Sequence, residues 1–216
     1  MKNLVIGSEG FLGRYLCKFL EKKGEKVIHF DIKRGKKEDA RYAKLPLRGI
    51  DKVYFLAWEV GGAKYLYKEN TQLKQLKWNV ELLNNVMTQL EKAKITFVFV
   101  SSQLAEENTV YGITKKLGEF WTKYIGGCFL RIPNIYGVMQ KSGEKSHVIE
   151  DFVNQVKAGK KIKLLSGGEE KRQFIHMEDV CELMYKMDKE WISIKEVADI
   201  IQTISLEEGL RKMIKK

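Results

Sequence analysis

The chain has 216 residues, 44% of them hydrophobic and 31% charged, with 39 Lys and Arg against 28 Asp and Glu for a formal net charge of +11. That balance specifies one globular domain with room for a small annex and excludes wholesale disorder. Apolar segments such as Ile95 to Val100, with only Thr96 inside it, are far too short for a membrane span, and three cysteines without metal-ligand spacing exclude a disulfide scaffold or zinc module.

In chain order, Leu4-Val5-Ile6 predicts a short buried strand. Phe11, Leu12, Tyr15, Leu16, Phe19 and Leu20 follow at helical spacing over Gly10 to Lys22, and Gly24 stops that helix. Val27 to Phe30, Val53 to Ala57, Ile95 to Ser101 and Cys128 to Ile132 predict further strands. Helices over about Thr71 to Leu90 and Tyr111 to Tyr124 lie between them. This alternation predicts an α/β fold, a Rossmann-type doubly wound parallel sheet, over residues 1–133. From residue 134 to 216 the pattern changes. Short strands (Ile162 to Leu165, Gln173 to Ile175) and helices (Val148 to Lys157, Met177 to Met187, Ile194 to Thr203) predict a small α+β subdomain that partly returns to the main domain.

The opening residues lack signal-peptide architecture, so a reducing, cytoplasmic setting is expected. The basic residues fall in short runs interleaved with apolar ones, as at Lys33 to Lys37, Lys157 to Lys163 and Arg211 to Lys216. They read as solvated surface. Trp78, Trp121 and Lys123 lie on helices and read as packing, so neither a nucleic-acid face nor a membrane surface is expected.

The first strand runs directly into Gly7-Ser8-Glu9-Gly10-Phe11-Leu12-Gly13 and then a helix. Glycines at Gly7, Gly10 and Gly13 let the chain turn tightly, approach a diphosphate and pack helix on strand, while the helix start at Phe11 and Leu12 supplies free amides. Asp31 closes the second strand, where a carboxylate accepts from adenosine ribose hydroxyls. That acid favours NAD, and Lys33 and Arg34 beside it leave NADP open.

Ser101 and Ser102 end the strongest strand, at the carboxyl edge where open α/β sheets bind ligands. Tyr111 and Lys115 follow, four apart on a helix, so an ammonium can lie beside a phenol. A phenol with pKa ~10 needs about 4 kcal/mol of differential stabilisation to act as a base near neutrality. The ammonium and a positive nicotinamide ring are candidate sources. In this reading Ser102 orients a substrate hydroxyl or carbonyl, Tyr111 exchanges its proton, and hydride passes to or from the cofactor. A second such pair, Tyr185 and Lys189, has no serine strand before it and reads as helix surface.

Together these segments resemble the extended short-chain dehydrogenase/reductases, the NAD-dependent nucleotide-sugar epimerase/dehydratase family. Phe55-Leu56-Ala57-Trp58 resembles its His-Leu-Ala-Ala strand end, whose backbone at Leu56 and Ala57 lines the cofactor. Val60-Gly61-Gly62 is similar to GDP-L-fucose synthases in particular, and Asn79 matches an asparagine that faces the active site. Arg131-Ile132-Pro133-Asn134-Ile135-Tyr136-Gly137 resembles Arg-x-x-Asn-x-Tyr-Gly, which makes Asn134 a sugar-nucleotide contact. Arg172-Gln173-Phe174-Ile175-His176 resembles a block whose arginine, Arg172, holds the substrate diphosphate. Leu206 to Arg211 has the family's closing look. Ser146-His147-Val148-Ile149 resembles a segment carrying an acid/base histidine, which implicates His147. The resemblance aligns Ser102, rather than Ser101, with the catalytic hydroxyl. His29 and His176 read as structural.

The chain departs from the family by its shortness, by a trimmed segment from Gln103 to Val110, and by Gln103-Leu104 where dehydratases carry Asp-Glu. Leu104 also stands where GDP-L-fucose synthases have a cysteine. Glu106 and Glu107 are read as a solvated loop. The resemblance therefore implies a nucleotide-sugar epimerase working through bound NAD. The alternatives are an NAD(P)H-dependent 4-keto-sugar reductase, a 4,6-dehydratase, or a catalytically silent NAD(P)-binding protein. It also implies a homodimer through the two helices flanking the Ser-Ser strand, with Leu73, Leu76, Val80, Leu83 and Phe120 as the apolar surface. No metal site is expected.

Overall fold

A computed structural model of the protein describes residues 1–60, 63–66, 68–137, 148–162 and 173–187. The strands are β1 (Lys2–Ile6), β2 (Lys26–Phe30), β3 (Lys52–Phe55), β4 (Thr96–Ser102), β5 (Cys128–Ile132), β6 (Asn134–Tyr136) and β7 (Phe174–His176). The helices are α1 (Phe11–Lys22), α2 (Ala63–Leu66), α3 (Glu69–Ala93), α4 (Val110–Tyr124), α5 (Val148–Lys157) and α6 (Met177–Lys186).

Strands β1 to β5 form one parallel sheet in the order β2-β1-β3-β4-β5. The chain leaves β1 for β2 on one side and returns to β3 on the other. The crevice beyond the carboxyl ends of β1 and β3 is thus a topological switch point, where such sheets take ligands. Alternation along the strands sorts the core. Leu4, Ile6, Val53, Phe55, Phe97 and Phe99 point to one face against Leu82, Leu83, Val86 and Met87 of α3. Val5, Tyr54, Val98 and Val100 point to the other, against Leu12, Leu16 and Leu20 of α1 and Val180, Leu183 and Met184 of α6. Each such buried aliphatic or aromatic side chain contributes about 1.5–3 kcal/mol, so both faces are held and the doubly wound architecture follows.

Between β2 and β3 the chain makes two short 3₁₀ turns, Ile32–Arg34 and Lys36–Glu38, and then runs irregularly. Side chains of α3 anchor it: the Asn85 amide donates to the Ala40 and Ala43 carbonyls at 2.9 and 3.0 Å. Lys52, buried at the start of β3, donates to the Met184 and Tyr185 carbonyls at 3.2 Å each and to that of Met187. An ammonium there satisfies orphan carbonyls at the negative end of α6 and ties that helix to the sheet.

The short strand β6, which hydrophobic patterning did not reveal, follows Pro133 and pairs in parallel with β7, Asn134 opposite Phe174. Ile162, read from the sequence as the start of a strand, carries none. The remainder of that segment, the Ile194 to Thr203 helix, Leu206 to Arg211 and Lys189 lie outside the described residues. Among the described residues no helix is long and apolar enough to cross a membrane.

Candidate active site

Gly7 ends β1 with φ +94°, and a Cβ there would fall 2.5 Å from the Ala57 backbone nitrogen. A Cβ on Gly13 would fall 2.0 Å from the Gly7 carbonyl oxygen. The first turn of α1 is thus drawn onto the loop, and the loop onto the end of β3, with no room for side chains. Gly10 is the helix N-cap and offers no side-chain acceptor, and no acidic residue occupies the first turn, which includes Phe11 and Leu12. The helix dipole and amides therefore face the switch point without an internal anion. Ser8 is fully buried and its hydroxyl lacks a partner among the described residues. This cradle fits a dinucleotide's diphosphate.

Asp31 is buried where β2 ends. Its carboxylate accepts from the backbone N–H of Glu9 at 2.9 Å and of Lys33 at 2.9 Å. The backbone just past β3 is fixed as well: Leu56 and Ala57 N–H both donate to the Ile6 carbonyl, at 2.9 and 2.8 Å. Asn79, fully buried on α3, accepts from the Glu59 N–H at 2.8 Å and donates to the Glu59 carbonyl at 3.2 Å. Its amide thus grips the backbone of the loop that follows Ala57.

Adjacent residues of β4 point opposite ways, and this separates the two serines. Ser101 donates to Glu119, a buried carboxylate held by Arg131 through bonds of 2.8 and 2.6 Å. Ser102 lies on the other face. Its hydroxyl accepts from the Leu104 N–H at 3.2 Å and lies close enough to the Tyr111 hydroxyl to favour the phenolate. Helix α4, capped by Thr109 accepting from the Gly112 N–H at 3.0 Å, carries Tyr111 in its first turn and Lys115 one turn on. Lys115 is buried. Its ammonium donates to the Val100 carbonyl at 2.6 Å and sits 3.9 Å from the centre of the Trp58 ring, 4.9 Å from that of Phe99 and 5.9 Å from that of Tyr111.

Burial raises the Tyr111 phenol to about 12, an effect the nearby Ser102 hydroxyl partly offsets. Burial pushes the Lys115 ammonium well below its ordinary range, opposed by the charge of Glu119. Of the two candidate sources, Lys115 does not by itself acidify Tyr111 in the chain. Lys115 reaches past the phenol to a strand carbonyl, and low dielectric favours the neutral phenol. Further positive charge is needed before Tyr111 becomes a base.

Glu106 pairs with Arg131 at 2.6 Å and Lys116 at 2.7 Å, and these contacts hold its carboxyl below the usual range. Asn134 in β6 donates from its side chain and its backbone N–H to the Gln173 carbonyl, each at 3.2 Å. His176 accepts from the Glu178 N–H at 3.3 Å and so caps α6. His29 lies 3.5 Å from Glu21. His147, Arg172, Gly61 and Gly62 lie outside the described residues. Two residues of the site were not read from the sequence. Trp58, a large ring where the resembled family has alanine, was a visible signal. Glu119, four residues after Lys115 on α4, was legible as an i, i+4 charge pair. Among the described residues no group of three or more His, Cys, Asp or Glu is arranged to hold a metal ion.

A sequence model of the NAD dependent epimerase/dehydratase family matches residues 3–200. The chain belongs to that family. A curated family relative, the UDP-2-acetamido-2,6-beta-L-arabino-hexul-4-ose reductase of Pseudomonas aeruginosa, is 28% identical over 157 residues, 68% of this chain and 39% of its own length. The chain thus spans about two fifths of that relative. The solved structure of an NAD-dependent NDP-hexosamine 5,6-dehydratase of tunicamycin biosynthesis superposes with a TM-score of 0.80 at 15% identity, covering 100% of this chain and 97% of that one. The UDP-glucuronic acid 4-epimerase of Bacillus cereus, in complex with UDP-glucuronic acid and NAD, gives 0.75 at 19%, covering 100% and 98%. At these identities the likeness to the solved structures is one of fold. Family membership makes the cofactor a nicotinamide dinucleotide, and the glycine cradle with Asp31 fits one.

Proposed function

We propose that the protein is an NAD-dependent nucleotide-sugar epimerase. The observation that carries this reading is the meeting of Ser102, Tyr111 and Lys115 at the carboxyl end of β4, beside the glycine cradle. Bound NAD would supply the hydride acceptor and donor of such a reaction. Tyr111 exchanges the proton of the sugar hydroxyl at its phenolic oxygen, and Ser102 holds that hydroxyl in line. Lys115, anchored on the Val100 carbonyl, lends positive charge to the phenolate only when protonated. Asn134 and Arg172 hold the sugar nucleotide, and His147 serves as acid/base or substrate contact. The curated relative's name favours a second reading, a reductase of a nucleotide keto-sugar. A 4,6-dehydratase has less support: Gln103-Leu104 lacks its acid pair, and Glu106 is held as a carboxylate by two cations. Cys17, Cys128 and Cys181, none of them in a disulfide, fit a reducing, cytoplasmic setting.

Mass spectrometry of the native protein, followed by product analysis over a panel of nucleotide sugars, tests this. An epimerase retains its dinucleotide and inverts a sugar with no net redox change. Stoichiometric consumption of NAD(P)H would replace it with the reductase reading, and inertness on the whole panel would leave a silent binder.

We propose further that the chain forms a homodimer through α3 and α4. Leu73, Leu76 and Val80 are exposed at helical spacing on α3, and Ile113, Leu117 and Phe120 on α4. Leu83, expected in that surface, is instead fully buried in the core. Light scattering at micromolar concentration is expected to give twice the 25.1 kDa chain mass; the mass of one chain would refute the dimer.

A further inference from the structure

Glu9, the second variable residue of the glycine loop, has all its polar groups tied to the segment after β2. Its N–H donates to Asp31 at 2.9 Å, its carbonyl accepts from the Lys33 ammonium at 3.1 Å, and its carboxylate lies 3.4 Å from the Arg34 guanidinium. Glu38 holds Arg34 from the other side at 3.4 Å and also accepts from the Asp31 N–H at 3.0 Å. The two cations nearest the adenosine end are therefore turned onto residues 9 and 38. Glu9, Asp31 and Glu38 place three carboxylates against the two charges of Lys33 and Arg34. A 2′-phosphate is doubly anionic near neutrality. It is recognised by a guanidinium or ammonium free to donate to its oxygens.

We infer that Glu9, assisted by Glu38, makes the cofactor site selective for NAD(H) over NADP(H) by holding Arg34 and Lys33 away from the adenosine 2′ position. The inference rests on the family's dinucleotide and not on the reaction proposed above. Asp31 alone explains a ribose contact; the clamp adds that a phosphate-binding arginine is already present but occupied.

The test is equilibrium binding of NADH and NADPH to the full chain, followed by coenzyme fluorescence, with no turnover required. The native chain is expected to bind NADH at least about tenfold tighter than NADPH. Glu9→Gln combined with Glu38→Gln, which frees Arg34, is expected to narrow that ratio by about fivefold, an effect that shrinks at high salt because the released guanidinium is exposed. Adding Arg34→Ala to the pair is expected to restore the original ratio. If the double variant fails to bind NADH, Glu38→Gln alone, which leaves the glycine loop intact, carries the same sign. A native chain that prefers NADPH overturns the inference. So does an unchanged ratio in a charge-neutralised variant that still binds NADH.

Discussion

Replacing Tyr111 with phenylalanine is expected to lower turnover about 10²–10⁴-fold while leaving NADH affinity within about twofold. The substitution keeps the ring near Lys115 and removes only the hydroxyl, which lies toward Ser102. Ser102 retains its bond from the Leu104 N–H, so the local fold has no new unsatisfied group and stability changes little. The magnitude follows from the phenol's environment. Burial holds it at about 12 in the chain alone. Bringing it near neutrality requires about 7 kcal/mol of preferential stabilisation of the phenolate, more than a surface charge pair can give. The cationic nicotinamide ring of a bound dinucleotide would supply that charge in a dry pocket, without solvent screening. In the oxidising direction the native rate is therefore expected to rise with pH through the loaded enzyme's phenol and then level off. The Phe variant lacks that limb. A Phe variant with native turnover and a native pH profile would remove Tyr111 from the chemistry.

The second large effect is expected at Gly13. An alanine methyl there would meet the Gly7 carbonyl at 2.0 Å, a backbone atom that cannot rotate away. Either α1 withdraws from the loop or the loop is pushed toward Ala57, against which Gly7 already lies without clearance. Overpacking of this kind costs about 1–3 kcal/mol, which for a chain of this size lowers the melting temperature by about 2–12 °C. It also displaces the amides that face the diphosphate, so NADH affinity is expected to fall at least about tenfold. Gly10→Ala is the control, because its methyl would stand 3.1 Å from the same carbonyl, a contact relieved by a small shift. Calorimetry and coenzyme fluorescence on the two variants check the contrast. Equal, mild effects at both positions would show that the close approach at Gly13 is not what shapes the cradle.

The parts of this fold legible in the sequence are those where local and global preferences agree. The run from Ile95 to Ser101 is apolar on both faces because β4 is central, and it appears as a strand by any pattern. Glycine spacing located the cradle because the chain permits no Cβ at Gly7 or Gly13. The short pair β6 and β7 was less legible, since three-residue strands leave no periodicity and their pairing spans distant parts of the chain. Spacing put Lys115 on the same helical face as Tyr111, but not the Val100 carbonyl and Trp58 ring that the ammonium adopts. Those partners come from β4 and the loop after β3, and no local pattern encodes them. Leu83 failed as a surface residue for a related reason: α3 is apolar on two faces, and only packing decides which one meets the sheet.

The account rests on the Tyr111 hydroxyl lying against both the cofactor's reactive ring and the sugar. A crystal structure of the protein with NAD and a nucleotide sugar measures this directly. The expected result is the diphosphate on the amides of Gly10 to Gly13, with the phenolic oxygen about 3 Å from a sugar hydroxyl. A nicotinamide bound away from α4, with the Tyr111 hydroxyl touching neither ring nor sugar, would contradict it.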